Sequence, residues 1–193
     1  VYLVENMGSS GLLTRPPQSL IKHGLSFFGI ELYQITLWAK SDSTTLMGGA
    51  FRFRRTVDRW FAGARVEFAY RPGPMPADLD RTVFQMFGAA QVEVGVNLLR
   101  DALVTPYVSG LVGAAWLRVH GPVDHEGGTK RDDLTTALFG VSLRVGVELL
   151  RQAAVRLDLF AMLNLPLHKT RNIDSQVIDA YTPSLQVGCG VAF

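Results

Sequence analysis

The residue types needed for nucleophilic chemistry are present in this 193-residue chain, but their spacing does not assemble them. Such chemistry needs a hydroxyl or thiol nucleophile, a histidine base and a carboxylate to orient the base. The candidates are Ser184 or Thr170, then His120, His125 or His168, then Asp132, Asp133 or Asp174. None of the four histidines stands in a His-x-Ser pairing, and all fall in polar connections or the N-terminal stretch. His120 and His125 could touch a metal ion, but two histidines without a fixed third ligand do not define a site. Cys189 is the single cysteine, which excludes an internal disulfide and a cysteine-based cluster. It reads as a small buried hydrophobe. No phosphate-binding or dinucleotide glycine pattern occurs. The expectation is no catalytic residue, no cofactor and no metal.

The chemistry that the spacing does support is electrostatic. Arg52, Arg54, Arg65, Arg144 and Arg156 alternate with apolar neighbours, and so do Glu67, Glu93, Glu148 and Asp158. Within each segment these charges share one parity. Such a set can neutralise itself only if the chain brings the charges together on one enclosed face, because an unpaired buried ion costs several kcal/mol. The expectation is a cross-lumen network of these residues, with Arg118 added from a segment whose pattern is less clean.

The elements that must position them are strands, since a period of two separates a greasy face from a polar one. The last segment shows the period most clearly. From Tyr181 through Pro183, Leu185, Val187, Cys189 and Val191 to Phe193, every odd position is apolar or aromatic, and the even ones are small or polar. Similar rows run through Met47–Phe53, Trp60–Tyr70, Phe84–Leu98, Phe139–Leu149 and Val155–Leu167. A fifth strand, about Leu103–Val119, is expected to turn Tyr107, Leu111, Ala115, Leu117 and Val119 outward and Trp116 and Arg118 inward. The first strand, about Phe27–Trp38, shifts phase. A β-bulge near Leu32 would reconcile its two halves, and a short amphipathic helix competes for the segment.

Polar connections at Ser41–Thr45, Arg71–Arg81, His120–Asp133 and His168–Asp179 alternate with tight turns near Asp58, Asp101 and Arg151. Four loops at one end and three turns at the other predict eight antiparallel strands. Val94–Ala102 and Val145–Ala153 repeat one pattern, as two equivalent strand ends entering turns would.

Alternation leaves open which face is the core. The polar face mixes large ions with Gly48, Gly63, Gly95, Gly146, Gly188 and Gly190 and nearly lacks lysine. That suits a crowded lumen of about eight strands better than a solvated surface. Aromatics gather at strand ends, with Trp38, Tyr70 and Phe84 near the loops and Phe53, Trp60 and Tyr107 near the turns. Two such girdles flank the aliphatic band of a bilayer-spanning barrel. No uncharged stretch reaches the roughly 18–20 residues of a helical span; the longest, Ala102–Leu117, contains Pro106 and three of the glycine or serine breakers.

Composition bounds the rest. Mean hydropathy is +0.17 and the net charge is +2, too small to suggest nucleic acid. The chain begins at Val1, as a processed chain or a fragment does. Residues 1–24 read as a turn-rich extension or linker and residues 25–193 as the barrel.

By strand count, loop asymmetry, alternation and the terminal aromatic, residues 27–193 resemble the small eight-stranded bacterial outer-membrane β-barrels of the OmpA and OmpX type. The resemblance implies an all-β, closed, up-and-down antiparallel transmembrane barrel with a polar packed lumen. It implies an outer-membrane location in a Gram-negative cell with both termini periplasmic. Tyr181, Leu185, Val187, Val191 and Phe193 would then form an assembly signal read by the barrel-assembly machinery. The implied surroundings are outer-membrane lipid and lipopolysaccharide, with Val1–Gly24 and the loops free to meet a periplasmic or outer-membrane protein. The expected role is a non-enzymatic structural element, anchor or partner-binding subunit. The alternatives are a narrow channel, a lipid A-modifying enzyme as some barrels of this architecture are, and a soluble lipocalin-like carrier.

Overall fold

The structure is a computed structural model that describes residues 25–39, 42–73, 83–99, 103–125, 128–150, 155–169 and 181–193. The N-terminal extension, residues 1–24, lies outside the described residues. Eight strands follow in chain order: β1 (Leu25–Ala39), β2 (Asp42–Val57), β3 (Trp60–Tyr70), β4 (Val83–Asn97), β5 (Val104–His125), β6 (Gly128–Leu149), β7 (Arg156–Pro166) and β8 (Ser184–Ala192). Each pairs antiparallel with the next, and β1 returns to β8 from Gly29↔Ala192 to Leu37↔Ser184. Phe193 extends the seam, exchanging backbone hydrogen bonds with Phe28 at 2.9 and 3.0 Å. The sheet is a closed barrel, so no strand within it is left as an edge.

The alternation dictates the faces. Val66, Val92, Val94, Leu143, Leu159 and Val187 point away from the barrel. Their chain neighbours Arg65, Glu67, Glu93, Arg144, Asp158 and Gln186 are buried within it. The β2–β3 turn is the tightest of the turn-side connections. Asp58 holds it in the left-handed region at φ 55, which a short polar side chain tolerates.

The lumen divides along its axis. Toward the turns it is filled by ions and aromatics. Toward the loops it is filled by Ile35, Leu37, Leu46, Phe84, Phe87, Leu117, Val119 and Leu138, which form one buried apolar cluster.

Glycines make room for rings at the boundary. One row of directly paired residues reads Tyr107, Gly146, Phe160, Gly188, Tyr33, Gly48 around five successive junctions. An aromatic ring on one strand lies over a glycine on the next. A Cβ on Gly188 would come within 2.8 Å of the Phe160 ring and 2.7 Å of Tyr33 Cβ.

Several expectations are corrected. β1 keeps one parity and continuous register with both neighbours, so there is no bulge near Leu32 and no helix. Tyr33, Ile35 and Leu37 face inward because the loop-side lumen is itself apolar. β5 runs in the opposite phase to the one expected: Tyr107, Leu111, Leu117 and Val119 are buried, and Trp116 and Arg118 lie outside. The bulge is in β4 instead, between Phe84 and Met86, and it turns Phe84 into the lumen. The segment expected as a polar loop at His120–Asp133 is strand over its described residues, 120–125 and 128–133, with β5 and β6 paired out to His125↔Gly128. Cys189 is exposed on the outer row of β8 rather than buried.

Candidate functional site

All eight strands send a side chain into one hydrogen-bonded network. Glu31 of β1 is its most connected acid. Its carboxylate accepts from Arg65 Nε at 2.8 Å and from Arg144 Nη1 and Nη2 at 3.2 and 2.7 Å, and it lies 3.6 Å from Arg52. Glu93 of β4 takes Arg52 in a two-pronged pair, at 2.8 Å from Nε and 2.7 Å from Nη2, and accepts from Ser109 Oγ at 2.6 Å. Such paired forks fix both partners in angle as well as distance. Asp158 of β7 accepts from Arg52 at 2.9 Å, Arg144 at 2.6 Å and the Tyr107 hydroxyl at 2.9 Å.

The network continues in both directions. Arg65 pairs with Glu67 at 2.6 Å, and Gln186 of β8 bridges the two, accepting from Arg65 and donating to Glu67. Nearer the turns, Arg54 donates to Glu148 and, at 2.9 Å, to Asn97 Oδ1. Arg156 lies 3.8 Å from Glu148. Three guanidiniums also stack on rings: Arg54 on Phe61, Arg144 on Phe160 and Arg156 on Phe27, at 3.4, 3.8 and 3.3 Å from the centroids. An arginine over a ring face is held without needing a further acceptor.

Among the described residues, the buried ions are Arg52, Arg54, Arg65, Arg144 and Arg156 against Glu31, Glu67, Glu93, Glu148 and Asp158. Five charges of each sign cancel. Above them a neutral ladder crosses four strands: Gln91 donates to Ser142, Ser142 meets Asn164 at 2.5 Å, and Asn164 donates to Ser184. Among the described residues, lumen pockets of about 30 Å³ lie by Arg52 and Glu148 and of about 40 Å³ under Leu37 and Phe87. Each has room for about one water molecule.

The structure therefore brings together every expected network residue except Arg118, which sits on the outer side of β5. The acid that sequence reasoning missed is Glu31. Its signal was its place between the outward Ile30 and Leu32, which alone turns it inward. Tyr107, expected in a girdle, is a lumen residue because its hydroxyl bonds Asp158 and accepts from Arg144 Nε at 2.8 Å. Phe84 is likewise inside. Trp38, Tyr70, Trp60 and Phe53 are exposed on the outer face, together with Phe28, Phe139, Tyr181 and Phe193. Leu185, Val187 and Val191 share that face on β8.

Of the catalytic candidates, the structure describes the side chains of Ser184 and His168, and each is engaged elsewhere. Ser184 Oγ is occupied by Asn164, and His168 Nε2 accepts from the Phe139 backbone N–H. Thr170 and Asp174 lie outside the described residues, as do the side chains of His120, His125, Asp132 and Asp133. No cluster of metal-ligating side chains occurs among the described residues.

No protein-family model and no curated protein matches the chain. Solved structures do. The Neisserial surface protein A superposes with a TM-score of 0.63 at 14% identity, over 86% of this chain and 95% of that one. Ail, the attachment invasion locus protein of Yersinia pestis, superposes at 0.53 over 88% and 99%. Its identity is 16% in the complex with the heparin analogue sucrose octasulfate and 15% in the structure without it. At such identities the likeness is one of fold. The chain has the architecture of the small eight-stranded outer-membrane β-barrels.

Proposed function

We propose that this chain is a non-enzymatic integral barrel of a Gram-negative outer membrane, serving as a structural element, anchor or partner-binding subunit, with both termini on the periplasmic side. The supporting observation is the lumen network. It draws on all eight strands, cancels its own charge among the described residues and borders pockets of about 30 and 40 Å³ there. A lumen so filled serves rigidity and register rather than transport. The outer face supports the same reading. Phe51, Val66, Val92, Val94, Leu159 and Val187 are more than half exposed there, as lipid-facing side chains are. The surfaces left for a partner are the loops and residues 1–24.

The test has two arms. The protein should sediment with the outer-membrane fraction and leave it only in detergent. In planar bilayers it should stay silent over a wide voltage range. Stable single-channel steps would replace the structural reading with the channel reading. A changed lipid A mass in cells that express the protein would replace it with an enzymatic one.

A further inference from the structure

The turn-side lumen cavity, about 30 Å³, owes its place to two glycines. Alternation puts Gly29 of β1 and Gly190 of β8 on the inward row, where each leaves out a side chain. Gly190 pairs with Glu31 on one side and Asp158 on the other, so the missing side chain opens a space between two carboxylates. Gly29 stands two residues from Glu31 and borders the same space.

Ions of both signs border it in equal number: Arg52, Arg54 and Arg156 against Glu31, Glu148 and Asp158. One donor among them is left over. The Arg54 guanidinium gives Nη1 to Glu148 and Nη2 to Asn97 Oδ1, and it lies over the Phe61 ring. Its remaining N–H is on Nε. Among the described residues no acceptor meets that Nε, although the side chain is buried. A buried N–H in that position has given up its bond to bulk water and regained none.

We propose that this cavity is a binding site for one structural water molecule, which accepts from Arg54 Nε and donates to the carboxylates around it. Three arguments select the occupant. The volume suits a water and nothing much larger. The lining charges already cancel, so a sodium or chloride ion would bring an uncompensated charge into a buried space. An apolar occupant would leave the Arg54 donor unmet. The water is then a fixed part of the barrel, and it ties Arg54 and Glu148 near the turns to Glu31 and Asp158 at the centre of the network. The site does not depend on the role proposed for the barrel.

Nuclear magnetic resonance reads the donor directly, because arginine Nε–H signals stand apart from the backbone amides. Arg54→Lys keeps the charge toward Glu148 but removes the Nε–H, and so assigns its signal. In perdeuterated protein refolded into micelles, that signal should show NOE and ROE cross-peaks of opposite sign to the water resonance, the pattern of a held molecule. Gly29→Ala should erase them. Its Cβ enters the inward row and meets Val191 O at 3.3 Å and Ala192 Cβ at 3.4 Å, close enough to need only a slight shift. Gly190→Ala should do the same from the other strand, with Glu31 Cγ at 3.0 Å as its nearest neighbour. An Arg54 Nε–H signal without water cross-peaks overturns the site, and so do cross-peaks that survive both alanines. A signal that moves as chloride replaces sulfate at constant ionic strength overturns the water in favour of an anion.

Discussion

In the turn-side half of the lumen, five arginines and five carboxylates are buried together; in the loop-side half, Ile35, Leu37, Leu46, Phe84, Phe87 and Leu117 fill the same cylinder without a charge. Among the described residues, each half borders a pocket with room for about one water. They differ in what a single deletion leaves behind. In the apolar half it leaves a void. In the charged half it leaves a buried ion with no counter-charge, which costs more than the void because the group can neither reach water nor be neutralised. Filling is therefore separable from specification: hydrophobic volume is enough to close the lumen, whereas the ions also fix which strand faces which.

The sharpest way to break this comparison is Arg144→Met. It preserves bulk but removes the guanidinium that Glu31 and Asp158 share, leaving five buried carboxylates against four arginines, so the loss should be about 3–5 kcal/mol, read by urea titration of protein refolded into lipid vesicles. A loss under about 1 kcal/mol would mean that water reaches the network and that the two halves are alike. Leu46→Ala in the apolar half should cost less, toward the lower end of about 2–5 kcal/mol, because the site lies near the mouth and can relax. Gly188→Ala probes the boundary. Its methyl would press first on the Leu32 backbone oxygen, then on Tyr33 Cβ and the Phe160 ring, for about 1–3 kcal/mol of overpacking. The smallest effect should come from Ser142→Ala in the neutral ladder, about 1 kcal/mol, since Gln91 and Asn164 each lose one uncharged partner. An order in which the ladder outweighs Arg144 would place the specifying interactions in the wrong half.

The contrast also explains what could be read from the sequence. Strand existence and outward face were legible wherever an ion marked the inner parity, as in β3, β6 and β7. There Arg65, Arg144 and Asp158 could not face lipid. β5 was misread for the opposite reason. Its inner row is Tyr107, Leu111, Leu117 and Val119 and its outer row is Val108, Val112, Trp116 and Arg118, so both are apolar and the one ion lies outside. The same ambiguity made β1 look bulged, because Tyr33, Ile35 and Leu37 enter the apolar half while Glu31 enters the charged one. Phe84 turned on a single extra residue in β4, which no periodicity announces. The polar run His120–Asp133 reads as loop by composition, yet its described residues, 120–125 and 128–133, pair as strand because β5 and β6 continue their ladder out to His125↔Gly128.

Glu31 sits in the first strand, and its partners Arg65 and Arg144 lie 34 and 113 residues further along. Arg52 waits 106 residues for Asp158, and Glu67 waits 119 for Gln186. No single hairpin contains these pairs, so a half-made sheet presents its inner ions to whatever fills the gap. In hydrocarbon that is prohibitive, and in water it is mild. The chain is thus discouraged from entering the bilayer strand by strand. Its sidedness and its closure should arrive in one concerted step, with insertion halted until the eighth strand meets the first.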